Sequence, residues 1–424
     1  MKSVSNATPR SKTIRMEPTF QRMAQKASPF LHEYVDLYAL NANSLTALPV
    51  PVSFTQTRNK PFLEKPDDYY LSVVRFQIDT NSLPVFNAYI QFNQANKDLT
   101  IYSVSLSWQN PIAPFQTFNQ QTYVLWSPQD LASPTPQPPS LTQDNFQDNS
   151  GGYYYSYNYT YILSLINTAY ATCFTALNAA VVGAGLVLPT THAPVMTWNN
   201  DKSIGVLNAD VLGYSTTAVS FINIFMNSPL YNLFNTMPAY ILNPNSLFGQ
   251  DFRLDTSTFG NSTVVGFPFY LPTYNALQIF QETSCIGIWT PVSGIVITSN
   301  TLPINSTNIA NPCIYVNGIA TGVNGSNSDV SPIITDFQAP DGLYKNSITY
   351  IPSAQYRYID LTGNGPLYTV DIQIFWRNKI SQLIPFRLTA GSSASVKILF
   401  QRKDQLVSGG SQFNSDHSDK FQSI

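Results

Sequence analysis

From about Tyr34 to Asp404 the chain reads as short runs in which apolar and polar residues alternate, separated by Pro, Gly and Asn. A two-residue period sends successive side chains to opposite faces, so each such run predicts a strand with one buried face. The clearest is IYSVSLSWQ, starting at Ile101, where Tyr102, Val104, Leu106 and Trp108 point one way and three serines the other. Further strands are predicted at 71–78, 87–92, 121–126, 219–226, 286–289, 294–298, 333–337, 355–361, 368–376 and 395–400, with a hairpin turning at 199–202 and a helical turn at 230–234. About fifteen strands against one long helix and one short one make an all-β chain, a sandwich rather than a parallel α/β sheet. No period of twenty to fifty residues recurs, which argues against propellers and solenoids. The strand spacing fits a jelly roll, either one roll with a helix-and-hairpin insertion around 127–245 or two rolls in tandem.

One stretch stands apart. GGYYYSYNYTYILSLINTAY, from Gly151, holds six tyrosines in nine residues. Tyr153, Tyr155, Tyr157, Tyr159 and Tyr161 fall on every second position and predict a strand with one aromatic face, suited to packing between sheets or across a subunit contact. From Ile162 the apolar spacing changes to three and four, through Leu165, Ile166, Ala169, Cys173, Leu177 and Val181, which predicts an amphipathic helix ended by Gly183 and Gly185.

Composition narrows the class. Charged residues make up 11% of the chain, against roughly 25% in ordinary soluble domains, so its polarity rests on amides and hydroxyls. Such a surface suits extensive contact with neighbours, because an amide is cheaper to desolvate than a charge. The net charge of −2 is unevenly spread: Lys2, Arg10, Lys12, Arg15, Arg22 and Lys26 face a single Glu17 in the first 28 residues. Residues 1–33 therefore read as a flexible basic arm for nucleic acid or a neighbouring subunit. Residues 127–152 and 300–329 read as long polar loops, and 405–424 as a mobile tail. No apolar run follows the basic start as in a signal peptide, and no eighteen-residue apolar stretch is evident for a bilayer span. Cys173, Cys285 and Cys313 are scattered among apolar neighbours and read as buried thiols.

Catalytic signals are missing from the sequence. His32, His192 and His417 have no second ligand at metal spacing. There is no G-x-S-x-G elbow and no phosphate-binding loop, and VGAG follows its helix instead of preceding one. Asp67, Asp68, Asp201, Asp210, Asp251 and Asp360 form no calcium loop. No enzyme activity, cofactor or metal is expected.

The stretches IWTPVSGIVITSNTLPI, SPIITDFQAPDG, YIPSAQYRYIDLTGNGPLYTVDIQIFWRN and LIPFRLTAGSSASVKILFQRKD resemble capsid proteins of eukaryotic DNA viruses. The similarity is to the jelly-roll pentons and minor capsid proteins of Polinton-like viruses, adintoviruses and virophages. DYYLSVVRFQIDTNSLPVF and NSPLYNLF extend it over most of residues 60–404. It implies a virion protein, made in the host cytoplasm or nucleus, that builds an icosahedral shell as a pentamer or trimer beside other capsid proteins, with the arm on genomic nucleic acid or an underlying protein. A carbohydrate-binding sandwich or fibre-like attachment module is the alternative. Assembly separates the two: a capsomer forms rings or shells through its sides, whereas a lectin stays small around a pocket.

Overall fold

A computed structural model describes residues 32–42, 50–91, 96–129, 152–242, 248–257, 261–263, 275–304, 309–310, 315–316, 319–320, 331–338, 347–351, 357–379 and 382–404. Eight principal strands come from the two ends of this span. They are β1 (His32–Leu40), β2 (Ser53–Thr57), β3 (Tyr69–Asp79), β4 (Val292–Thr298), β5 (Ser331–Gln338), β6 (Ser347–Tyr350), β7 (Thr369–Asn378) and β8 (Ser393–Arg402). One sheet has the order β1-β8-β3-β6 and the other β2-β7-β4-β5, all neighbours antiparallel. Eight strands wound in this way between two sheets form one complete jelly roll.

The roll's core follows from alternation. Val370, Ile372, Ile374 and Trp376 of β7 and Ala394, Val396, Ile398 and Phe400 of β8 are buried at every second position. In β3 the inward set changes phase, from Leu71 and Val73 to Phe76 and Ile78. An irregularity in the register against Lys397 and Ile398 absorbs the extra residue, as a β-bulge does.

Between β3 and β4 the chain builds a second core that runs from Val85 to Trp289. Its five-stranded sheet has the order Ala239–Ile241, Phe252–Leu254, Ile222–Met226, Leu99–Gln109, Thr117–Leu125. A four-stranded sheet has the order Asn261–Thr263, Asn275–Phe280, Ile204–Asp210, Val195–Asn199. Helix α1 (Tyr159–Gly183) packs on strands of both sheets. The chain is therefore a split roll with a large inserted unit, and the excursion expected around 127–245 lies inside a wider one.

Four readings of local structure change. The tyrosine tract forms only the two-residue strand Tyr155–Ser156, and Tyr159 and Tyr161 already belong to α1. Asn158 is the reason: its side chain accepts the Tyr161 amide at 2.7 Å and the Thr160 hydroxyl at 3.0 Å, which caps the helix two residues before the tyrosine period ends. Ile286–Trp289 is a helical turn instead of a strand. β1 escapes an alternation search because only Val35 and Leu37 are fully buried. Finally, α1, with 25 residues, is long and apolar enough to cross a bilayer. Here nine of its side chains enter the second core. On its outer face the hydroxyls of Ser164, Thr168, Thr172 and Thr175 donate to backbone carbonyls within the helix.

Candidate functional site

The tyrosines sit where the two cores meet. Tyr153 and Tyr154 are buried in the second core, where the Tyr153 hydroxyl donates to Asp98 at 2.8 Å and the Tyr154 hydroxyl to the Lys97 carbonyl at 3.0 Å. Tyr155 turns the other way into the roll, edge-on to Trp376 at 5.6 Å between ring centres, and Tyr157 packs beside it on the roll core. Tyr159 returns to the inserted unit and stacks on Trp198 at 4.3 Å, while Tyr161 meets Trp126 edge-on. The rings thus fall in pairs, the first on the inserted core, the second on the roll and the third on the inserted core again, and so join the two. Desolvation pushes the phenols of Tyr154 and Tyr157 up to about 12 and raises that of Tyr153 further, the Asp98 bond adding to it, so these hydroxyls stay protonated hydrogen-bond donors.

Trp289 completes the junction. Its ring meets Phe86, Tyr159, Trp198 and Phe234, all within 5.7 Å between centres, and its indole N–H donates to the Leu233 carbonyl at 2.7 Å. From the roll, Lys379 donates to the carbonyls of Gly287 and Ile288. Beside this cluster Thr80, Asn81, Tyr157, Asn158, Trp198 and Asn200 line an open cleft of about 300 Å³.

The chain has a direction. His32 pairs with Gln401, and Arg402 with Tyr69, so the segments before β1 and after β8 leave side by side from one end of the roll. Asp79, where the chain departs for the inserted unit, lies at the opposite end of β3. The basic residues Lys2, Arg10, Lys12, Arg15, Arg22 and Lys26 and the tail 405–424 lie outside the described residues, as do most of the loops at 127–152 and 300–329.

Among the described residues no group of three or more His, Cys, Asp or Glu could hold a metal. Asp210 accepts the Thr190 hydroxyl and caps a turn, Asp251 accepts the amide and hydroxyl of Ser228, and Asp360 pairs with Lys403. The acids are thus spread over separate structural tasks. Cys173 and Cys285 are buried free thiols; burial pushes the Cys173 thiol up to about 11, and it donates to the Gln120 carbonyl.

Residues 33–402 match the model of the Sputnik minor capsid protein V18/19 family. The chain belongs to that family. It is 26% identical to structural protein V19 of Sputnik virophage over 208 residues, which is 48% of this chain and 92% of V19. With Sputnik protein V18 it shares 35% identity over 133 residues, 31% of this chain and 75% of V18. Among solved structures, a chain of the Sputnik virophage determined by cryo-electron microscopy superposes with a TM-score of 0.69 at 26% identity, covering 88% of this chain and 99% of that one. The mavirus penton protein superposes with a TM-score of 0.51 at 14% identity over 88% of this chain and 99% of its own, a likeness of fold. Membership in the V18/19 family makes this chain a structural protein of the virion capsid, in agreement with the resemblance in its sequence.

Proposed function

We propose that the chain is a vertex-type minor capsid subunit that closes into a homomeric ring, fivefold in preference to threefold, with the basic arm turned inward. The observation that carries this reading is the polarity of the roll: both chain ends leave from one end and the inserted unit from the other. The sides of the sandwich are left for lateral contacts, and one heterologous contact repeated by rotation closes a ring. The aromatic seam supports the same assignment, since it holds roll and insertion as one body across which assembly forces can pass. Placed inside, Lys2, Arg10, Lys12, Arg15, Arg22 and Lys26 meet genome phosphates or an underlying protein.

Light scattering and negative-stain imaging of the full chain test the ring: five-membered particles are expected, and a strict monomer or a trimer overturns the reading. The arm is tested by DNA binding with and without residues 1–31. Binding that vanishes with the arm and weakens with salt, at a log–log slope no steeper than about −5 for six cations, is the expected result. Equal binding by the truncated chain excludes the nucleic-acid role.

A further inference from the structure

Unbonded polar groups gather at the cleft beside the aromatic seam. Three segments form it: the turn 80–83 that leaves β3, the end of the tyrosine tract with the first turn of α1, and the hairpin tip that follows Val195–Asn199. Its volume of about 300 Å³ lies at the small end of ligand sites. Buried Leu83 and Val85 and the half-buried, stacked rings of Tyr159 and Trp198 give it an apolar wall.

The other tryptophans of the inserted unit have acceptors for their indoles: Trp108 donates to the Ser220 hydroxyl, Trp126 to the Tyr153 carbonyl and Trp289 to the Leu233 carbonyl. The Trp198 N–H donates to no described residue. In the tyrosine tract the hydroxyls of Tyr153, Tyr154 and Tyr161 are bonded, whereas that of Tyr157 has no partner among the described residues. Asn158 uses its side-chain oxygen to cap α1, and its Nδ2 group is left over. Asn81, on the link from the roll, and Asn200, on the inserted hairpin, are exposed, and their amides make no bond to described residues. Scattered over a surface, such groups are simply hydrated. Gathered round an apolar wall in a concave space, they match a ligand with apolar faces and a hydroxylated edge. No Asp, Glu, Lys or Arg lines the cleft, and Asp201 and Lys202 of the same hairpin turn stay outside it.

We propose that this cleft is a glycan-binding site for an uncharged pyranose. The C–H faces of the sugar lie on the Tyr159 and Trp198 wall, and its hydroxyls bond to Asn81, Tyr157, Asn158 and Asn200. Nucleic acid is poorly matched, because its phosphates need cations that the cleft lacks. The helix N-terminus does not call for an anion either, since Asn158 already takes the Tyr161 amide. A peptide would add to an open sheet edge, but the edge strand beside the cleft, Val195–Asn199, is closed there. Its Met196 N–H and carbonyl are taken by the Asn167 side chain at 2.6 and 2.9 Å. The proposal is independent of ring size and of the inward arm.

An array of neutral, sialylated and sulfated glycans probed with the full chain tests it, followed by saturation-transfer NMR with the methyl glycosides of glucose, galactose, mannose and N-acetylglucosamine. Retention on neutral glycans is expected, with no gain from added acidic groups. The double variant Asn81→Ala/Asn200→Ala should weaken that binding about tenfold, the loss of two hydrogen bonds. Both positions are exposed, so an unchanged melting temperature is expected for it. Tyr157→Phe, which keeps the ring, should weaken binding as well. Absence of binding to every neutral glycan overturns the proposal. So does a requirement for sialic acid or sulfate, or binding to neutral glycans that neither variant alters, which would put the site elsewhere on the chain.

Discussion

The two units of this chain are held together by different chemistry. In the roll, Arg58 pairs with Glu33, Arg75 and Lys397 with Asp36, Arg357 and Arg377 with Asp336, and Lys403 with Asp360. Among the described residues no ion pair falls in the inserted unit. Residues 84–291 carry twelve charged residues, in a chain with 22 Lys and Arg and 24 Asp and Glu. In place of charge they gather Trp108, Trp126, Trp198 and Trp289 with a set of tyrosines and phenylalanines. The roll keeps a solvated, ionic outer face while the insertion relies on aromatic packing and amide bonds. Exposed ion pairs are individually weak, so what separates the units is their response to perturbation: the roll to pH and salt, the insertion to loss of ring volume.

The largest break in that comparison is expected at Trp289, which is 3% exposed and touches four other rings. Trp289→Ala should cost about 3–5 kcal/mol, the range for truncating a buried aromatic. Because the ring stands at the junction, the loss should fall on the inserted unit and separate its unfolding from the roll's. Calorimetry should then show two transitions where the parent shows one; a single transition shifted as a whole would mean that the units do not respond separately.

A smaller and pH-dependent effect is expected at Asp371, a buried carboxylate of β7. It accepts the hydroxyls of Ser299 and Thr301 and the amides of Asn300 and Thr301, and so holds the turn that follows β4. Burial alone would raise its pKa, but these hydrogen bonds outweigh burial and hold the carboxyl below its ordinary value. A group with a lowered folded pKa stabilises fully above its unfolded value, about 3.9, and the contribution disappears as pH falls through the lower folded value. Asp371→Asn should therefore cost about 1–3 kcal/mol at neutral pH and flatten the parent's loss of stability below pH about 4. Urea titrations across that range measure both; equal acid sensitivity in the two proteins would take Asp371 out of the account.

What the sequence made legible follows the same division. Strands with strict alternation, such as Leu99–Gln109, Thr369–Asn378 and Ser393–Arg402, could be read because each has one face in a core. So could the buried stripe of α1, and with it the all-β class. β1 could not, since two fully buried residues make no pattern. The tyrosine tract misled for a physical reason: an extended pair of residues followed by a capped helix can carry the same period of two as a longer strand, and the Asn158 cap was the signal that distinguishes them. Nor does periodicity name partners. Pairing β1 with β8 joins residues more than 350 positions apart, which is why one split roll and two tandem rolls read alike in the text. The insertion's scarcity of charge is plain in the sequence, which has no charged residue between Asp148 and Asp201 and again none from 211 to 250.

The smallest expected effect is also the sharpest test of aromatic packing as the insertion's source of strength. Tyr170 is fully buried in α1 and its hydroxyl has no hydrogen-bond partner among the described residues. Burial raises the pKa of this phenol, so the group stays neutral and contributes an unmet donor to the core. If the ring supplies the stabilisation and the hydroxyl detracts from it, Tyr170→Phe keeps the ring, removes the unmet group and gains about 1 kcal/mol. The gain should appear as a higher denaturant midpoint with an unchanged slope, since the surface exposed on unfolding is the same. A loss of similar size would show that the hydroxyl is bonded in solution, and that the inserted core depends on a buried polar contact as well as on its rings.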